Sequence, residues 1–245
     1  VNREDIKKFS LREKKIDYIY ELCKKIKIDL GFTPLGFDEV KILKRYKIDF
    51  FKIASMDCNN YNLIESVAKT KKPLIISTGL SKESEISKAI LTAKKHNKNL
   101  ALLHCVSLYP PKDTDVNLNR IKKLSKYGTT VGFSDHCIGI DQALASIPLG
   151  AKIIEKHFTI NKKLKGWDHS MSIDFKELTT LVNKAKKIYN SLGSDIILQT
   201  EPINQIELFR RSVVAEKDIS KGDYFSLKNL GLKRPGNGID PGIIN

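Results

Sequence analysis

The sequence predicts an α/β protein of consecutive strand–helix units, a (β/α)8 barrel whose first units are missing here, followed by the start of a small β-rich domain. Three observations carry this reading. Short apolar, β-branched runs recur with starts roughly 20–30 residues apart, the length of a compact βα unit. Those runs are nearly continuous in apolar character, as suits a parallel sheet covered by helices. The stretches between them place apolar residues at helical spacing.

The expected strands cover residues 28–33, 50–55, 73–79, 100–105, 130–134 and 151–157. A leading helix is expected near residues 5–26. Covering helices follow over 38–46, 61–70, 118–127 and 141–149. Ser81 reads as the cap of another helix, with Glu83 and Glu85 near the positive end of its dipole and Ile86, Ala89, Ile90 and Ala93 on one face. Leu178, Leu181, Val182, Ala185, Ile188 and Tyr189 form a last stripe that ends near Gly193.

Six units fall short of a closed barrel by about 60 residues at ~30 residues per unit. The rival fold is an open doubly wound sheet, which usually carries a glycine-rich phosphate loop after its first strand. Neither G-x-G-x-x-G nor G-x-x-x-x-G-K-[ST] occurs. The chain begins at Val1 rather than Met and stops shortly after a Pro-Gly, so both ends are expected to be cut from a longer protein. The expected division is a partial barrel over 1–193, a linker over 194–207 and a truncated β-rich domain over 208–245. Ser212 to Ala215, a turn at Lys221-Gly222-Asp223 and Lys233-Arg234-Pro235-Gly236 carry the last of these.

The chain has 245 residues, 41% of them hydrophobic and 29% charged, enough apolar material for a substantial core. No run approaches the ~18 apolar residues of a membrane span. No signal-peptide pattern opens the chain, and Cys23, Cys58, Cys105 and Cys137 form no C-x-x-C pair, so a reducing, cytoplasmic setting is expected. The net charge of +15 arises from 43 basic and 28 acidic residues. The lysines are spread in twos along helices, with no aromatic-rich basic strand. They read as a solvated surface rather than a nucleic-acid footprint.

In a parallel barrel the functional side chains gather at the C-terminal strand ends. Those ends are polar here: Thr33; Lys52 and Ser55; Ser77 and Thr78; His104 and Ser107; Ser134 and His136; Glu155 and His157. Hydroxyls and one lysine suit an oxyanion, although any single serine could cap the next helix. His136 and His157 end adjacent strands and could share one divalent metal. The plain alternative is two neutral histidines bonded within loops.

The string Phe51-Lys52-Ile53-Ala54-Ser55, Ser77-Thr78-Gly79, His104-Cys105-Val106-Ser107-Leu108-Tyr109-Pro110, Gly132-Phe133-Ser134-Asp135-His136 and Ile154-Glu155-Lys156-His157-Phe158-Thr159 occurs in order. Asp168-His169-Ser170, Arg210-Arg211-Ser212 and Lys233-Arg234-Pro235-Gly236 follow it. This resembles the sialic acid synthase family of N-acetylneuraminate, legionaminate and related nonulosonate synthases, over essentially the whole chain. The resemblance implies a TIM barrel followed by an antifreeze-like SAF domain in a domain-swapped dimer. It implies condensation of phosphoenolpyruvate with an open-chain N-acetylated hexose, releasing phosphate. Phosphoenolpyruvate contacts are then expected from Thr33, Lys52, Ser55, Ser77 and Ser134, with Ser107 less firmly matched. His136 and His157 would ligate Mn²⁺ or Mg²⁺, and Glu155 is a candidate acid/base group. Asp57 and Asp168 fall near the sugar, and Arg234 meets its N-acyl group in the partner's site. Two rivals stand beside this reading. Another phosphoenolpyruvate-dependent 3-deoxy-sugar synthase would lack the SAF appendage. A non-catalytic basic binding protein would show tight, salt-sensitive nucleic-acid binding.

Overall fold

A computed structural model describes residues 11–197 and 199–243. The chain divides into two units, Val1–Gly193 and Ser194–Asn245. The first opens with helix α1 (Glu13–Ile26) and then alternates strand and helix. Its strands are β1 (Gly31–Phe32), β2 (Phe50–Ile53), β3 (Leu74–Ser77), β4 (Leu100–Cys105), β5 (Thr130–Asp135) and β6 (Ile153–Lys156). They are covered by α2 (Phe37–Leu43), α3 (Tyr61–Ala68), α4 (Glu83–Lys94), α5 (Asp113–Val116), α6 (Arg120–Ser125), α7 (Asp141–Ser146) and α8 (Phe175–Ser191).

All six strands are parallel and lie side by side in chain order. A doubly wound sheet reverses its order partway across, so the sequential order selects the barrel type over that rival. Curling follows from one contact. β2 and β6 are four strand spacings apart, about 19 Å in a flat sheet, yet Lys52 Nζ on β2 lies 2.9 Å from Glu155 Oε1 on β6. Two side chains meet over that span only if the sheet bends, and it forms a curled half-barrel.

The alternation of each strand sends one set of residues to the helices and the other to the concave face. Phe51, Ile53, Leu74, Ile76, Leu102, Val131 and Phe133 pack against Val40, Leu63, Val67, Ala89, Ile90, Ala93, Ile121 and Leu124 in one core. Each large side chain so buried contributes on the order of 1.5–3 kcal/mol.

Several boundaries differ from expectation. The first strand shrinks to Gly31–Phe32, because the amide of Leu30 is captured by Asp49 Oδ2 at 2.7 Å instead of entering the ladder. Lys82, not Ser81, takes the cap position of α4. Its amide donates to Glu85 Oε2 at 2.7 Å, while the Ser81 hydroxyl turns back to the Gly79 carbonyl at 3.0 Å. The expected helix over 118–127 shortens to Arg120–Ser125. Helix α8 starts three residues before its apolar stripe because Asp174 and Glu177 form a reciprocal capping box. The start of the leading helix, expected at Asp5, lies outside the described residues.

The second unit holds helix α9 (Ile203–Phe209) and an antiparallel pair, β7 (Ser212–Ala215) with β8 (Leu230–Lys233). The helix was not expected there. Arg210 pairs with Asp240 at 3.2 Å, and the Arg234 guanidinium lies 5.3 Å from the centre of the Phe209 ring.

Candidate functional site

The C-terminal ends of β2 to β6 bring most of the expected residues to one place. Lys52 reaches across the concave face to Glu155, with the lysine side chain largely buried. Ser55 begins the short 3-10 turn Ser55–Asp57, and its Oγ accepts the Gly79 amide at 3.1 Å. A Cβ on Gly79 would stand 2.6 Å from Ser107 Oγ and 2.7 Å from Ser55 Oγ. Glycine is therefore required here so that three strand ends can close on each other. Gly132 on β5 is excluded from substitution for the same reason, since a Cβ would fall 2.3 Å from the Ile153 carbonyl oxygen.

Ser77 and Ser134 are buried on the concave face. Among the described residues Ser77 Oγ has no hydrogen-bond partner, and neither does Glu155 Oε2. Buried polar atoms are nearly always paired. Two orphans facing the same hollow mark where a polar ligand would complete the site.

The two histidines come together. The rings of His136 and His157 lie 5.2 Å apart, and Tyr109 packs on both, at 4.1 Å and 5.9 Å. His136 Nδ1 is 2.8 Å from the Val106 carbonyl. A carbonyl only accepts, so Nδ1 carries the proton and Nε2 keeps a free lone pair, as a metal-binding imidazole requires. His157 Nδ1 lies 3.6 Å from Asp168 Oδ2. Burial pulls His136 down, but the Cys105 thiol and the Val106 carbonyl outweigh it and hold its pKa above the usual value. For His157 burial dominates over the pull of Asp168, and its pKa falls. Among the described residues no group of three or more His, Cys, Asp or Glu gathers as a metal cluster. What the structure offers such an ion is two neighbouring imidazoles, with the Nε2 of His136 left unprotonated.

Thr33 follows β1 directly and is exposed. Asp57 ends the turn that Ser55 begins, and its carboxylate accepts from Asn60 Nδ2 at 3.0 Å. Arg234 belongs to the second unit. His104, also at a strand end, faces the helices: it bonds the Val116 carbonyl at 2.6 Å and stacks on Phe133.

Sequence reasoning missed four residues. Tyr109 lies within the His104-to-Pro110 motif, where nothing in the sequence marks its ring as the one that packs on both histidines. Cys105 lies 3.9 Å from His136 Nδ1. Burial pushes its thiol up, while bonds from His136, Ser55 and Ser107 draw it down to about 7. Asp135 and Lys156 form an ion pair of 2.7 Å with side chains 0% and 4% exposed. A lysine on the helix-facing side of a covered strand was the available signal, because such a charge demands a partner.

The NeuB family model matches residues 2–196. An uncharacterized protein of Methanocaldococcus jannaschii is 42% identical over 240 residues, 97% of this chain and 71% of that protein. N,N'-diacetyllegionaminic acid synthase of Campylobacter jejuni is 38% identical over 223 residues, 89% of this chain and 66% of the enzyme. The crystal structure of an N-acetylneuraminic acid synthetase from Leptospira borgpetersenii, in complex with citrate, superposes with a TM-score of 0.75 at 36% identity. That match covers 78% of this chain and 67% of that one. The chain thus spans about two thirds of the length of these relatives. With the sequential half-barrel, its polar concave face and the paired histidines, they place the chain in the NeuB family of sialic acid synthase-like enzymes.

Proposed function

We propose that this chain carries the phosphoenolpyruvate half of a nonulosonic acid synthase, which joins phosphoenolpyruvate to an N-acetylated hexose and releases phosphate. The observation that carries the proposal is the Ser77 hydroxyl, buried and unpartnered among the described residues on the concave face that also bears the Lys52–Glu155 pair. A dianionic ligand with both carboxylate and phosphate would satisfy these donors together. Thr33, Ser134 and Ser107 complete the proposed contacts, and Asp168, Asp57 and the partner's copy of Arg234 would face the sugar.

In the reaction C3 of the enol attacks the sugar aldehyde, forming a C–C bond. Water adds to C2, and the C2–O bond to phosphate breaks. Lys52 and the serines hold the two anionic groups and fix which face of the enol is offered. Glu155, with one oxygen on Lys52 and the other unpartnered among the described residues, would take the proton of the adding water. A divalent ion, Mn²⁺ or Mg²⁺, on His136 and His157 would supply Lewis-acid polarisation of the aldehyde oxygen. The remaining expectations belong to the same proposal: the barrel, linker and SAF-like division at 193 and 207, the domain-swapped homodimer and a cytoplasmic setting. Among the described residues no helix is long and apolar enough to cross a membrane.

The test is phosphate release by the full-length protein with phosphoenolpyruvate, offered N-acetylmannosamine or its 2,4-diacetamido-6-deoxy analogues. Release that requires one of these sugars and stops on chelation is expected. Release with a sugar phosphate alone would favour the 3-deoxy-sugar synthase reading.

A further inference from the structure

Alternation along β6 sends Glu155 to the concave face and Lys156 to the helix layer, where strands otherwise carry apolar side chains. Lys156 is nonetheless buried there. Its ammonium meets Asp135 Oδ2 at 2.7 Å and also donates to the Cys137 carbonyl. The other carboxylate oxygen, Asp135 Oδ1, accepts the Cys137 amide at 2.8 Å. Asp135 and Lys156 are directly opposed in the β5–β6 register. One ion pair therefore ties the last residue of β6 to both backbone groups of Cys137, across the turn that leaves β5. His136 is the residue enclosed by that tie, and His157 is the residue after Lys156.

Stability does not account for the pair. Taking two charges out of water costs several kcal/mol per ion, and apolar residues of like volume are often as stable or more so. What the pair provides is position. It fixes the turn that aims His136 relative to the strand end that presents His157, leaving the two rings 5.2 Å apart. We propose that Asp135 and Lys156 are positioning residues that set the geometry of the His136–His157 centre. This rests on the metal-binding reading above.

The experiment is titration of Mn²⁺ into the full-length enzyme, following free Mn²⁺ by its paramagnetic resonance signal, for wild type, His136→Ala and the double variant Asp135→Leu/Lys156→Met. The double variant should keep or raise the melting temperature and bind Mn²⁺ about 10–100-fold more weakly, the loss typical of removing groups that orient a metal ligand. Its apparent KM for phosphoenolpyruvate should hold while kcat at fixed Mn²⁺ falls. Should the double variant fail to fold, Asp135→Asn keeps the shape and is read by the same titration, with the same weakening expected. Wild-type Mn²⁺ affinity in a folded variant of either kind would overturn the proposal, leaving a pair that only braces the fold. If His136→Ala binds Mn²⁺ as wild type does, the two-histidine centre itself is wrong and the proposal falls with it.

Discussion

The two faces of the one parallel sheet follow opposite rules. Towards the helices it presents Phe51, Ile53, Leu74, Ile76, Leu102 and Phe133, all buried against apolar partners. Towards its hollow it presents Lys52, Ser77, Cys105, Ser134 and Glu155, two of whose buried polar atoms have no partner among the described residues. The first face is satisfied by packing, whereas the second holds polar atoms that packing does not satisfy. An enclosed hydroxyl or carboxylate oxygen left unmet costs stability, a cost that the apolar face does not carry.

The largest expected effect lies on the apolar face. Phe133→Ala in the full-length protein should lose about 3–5 kcal/mol of stability by chemical denaturation, with the KM for phosphoenolpyruvate unchanged in the folded fraction. A raised KM at normal stability would erase the distinction between the faces. Next comes Lys52→Met. Losing a charged hydrogen bond should weaken phosphoenolpyruvate binding by about 1.5–3 kcal/mol, seen as a higher KM. Unaltered kinetics would remove Lys52 from the anion site.

Ser77→Ala sharpens the contrast, because stability and function should move in opposite directions. Deleting an unpartnered buried hydroxyl should leave stability equal or raise it by up to about 1 kcal/mol, while phosphoenolpyruvate binding weakens. A variant that loses stability would show that Ser77 is already paired within the fold.

His104 supplies the smallest effect and the one exception, a titratable ring on the apolar face. Burial holds its pKa below the usual value, opposed by its bond to the Val116 carbonyl. The unfolded chain therefore binds more protons than the folded one between the folded pKa and about 6.5, and stability falls as pH drops through that window, by at most about 1.4 kcal/mol per pH unit. His104→Gln should flatten this part of the stability–pH curve. An unchanged slope would assign the acid sensitivity to other groups.

The apolar face was legible because a covered parallel strand announces itself. Runs such as Leu100 to Leu103 carry no alternation to hide, and their spacing counts the units. Histidines at strand ends were legible as a class but not individually. His104 and His136 occupy similar places in the sequence, yet strand alternation turns one to the helices and the other, one residue past β5, to Tyr109 and His157. The edge at β1 was overread, since the Asp49 carboxylate competes for the Leu30 amide and no sequence period records that.

By itself the sequence determined the order of strand–helix units, the apolar layer beneath the helices and the set of polar residues at the strand ends, since these depend on local periodicity and on residue type. Tertiary structure alone decided which of those residues meet. Curling brought Lys52 to Glu155 across four strands, and register set Asp135 opposite Lys156. Contacts of that kind depend on how far a sheet bends and on where its strands are aligned, which are properties of the whole assembled barrel wall rather than of any one segment.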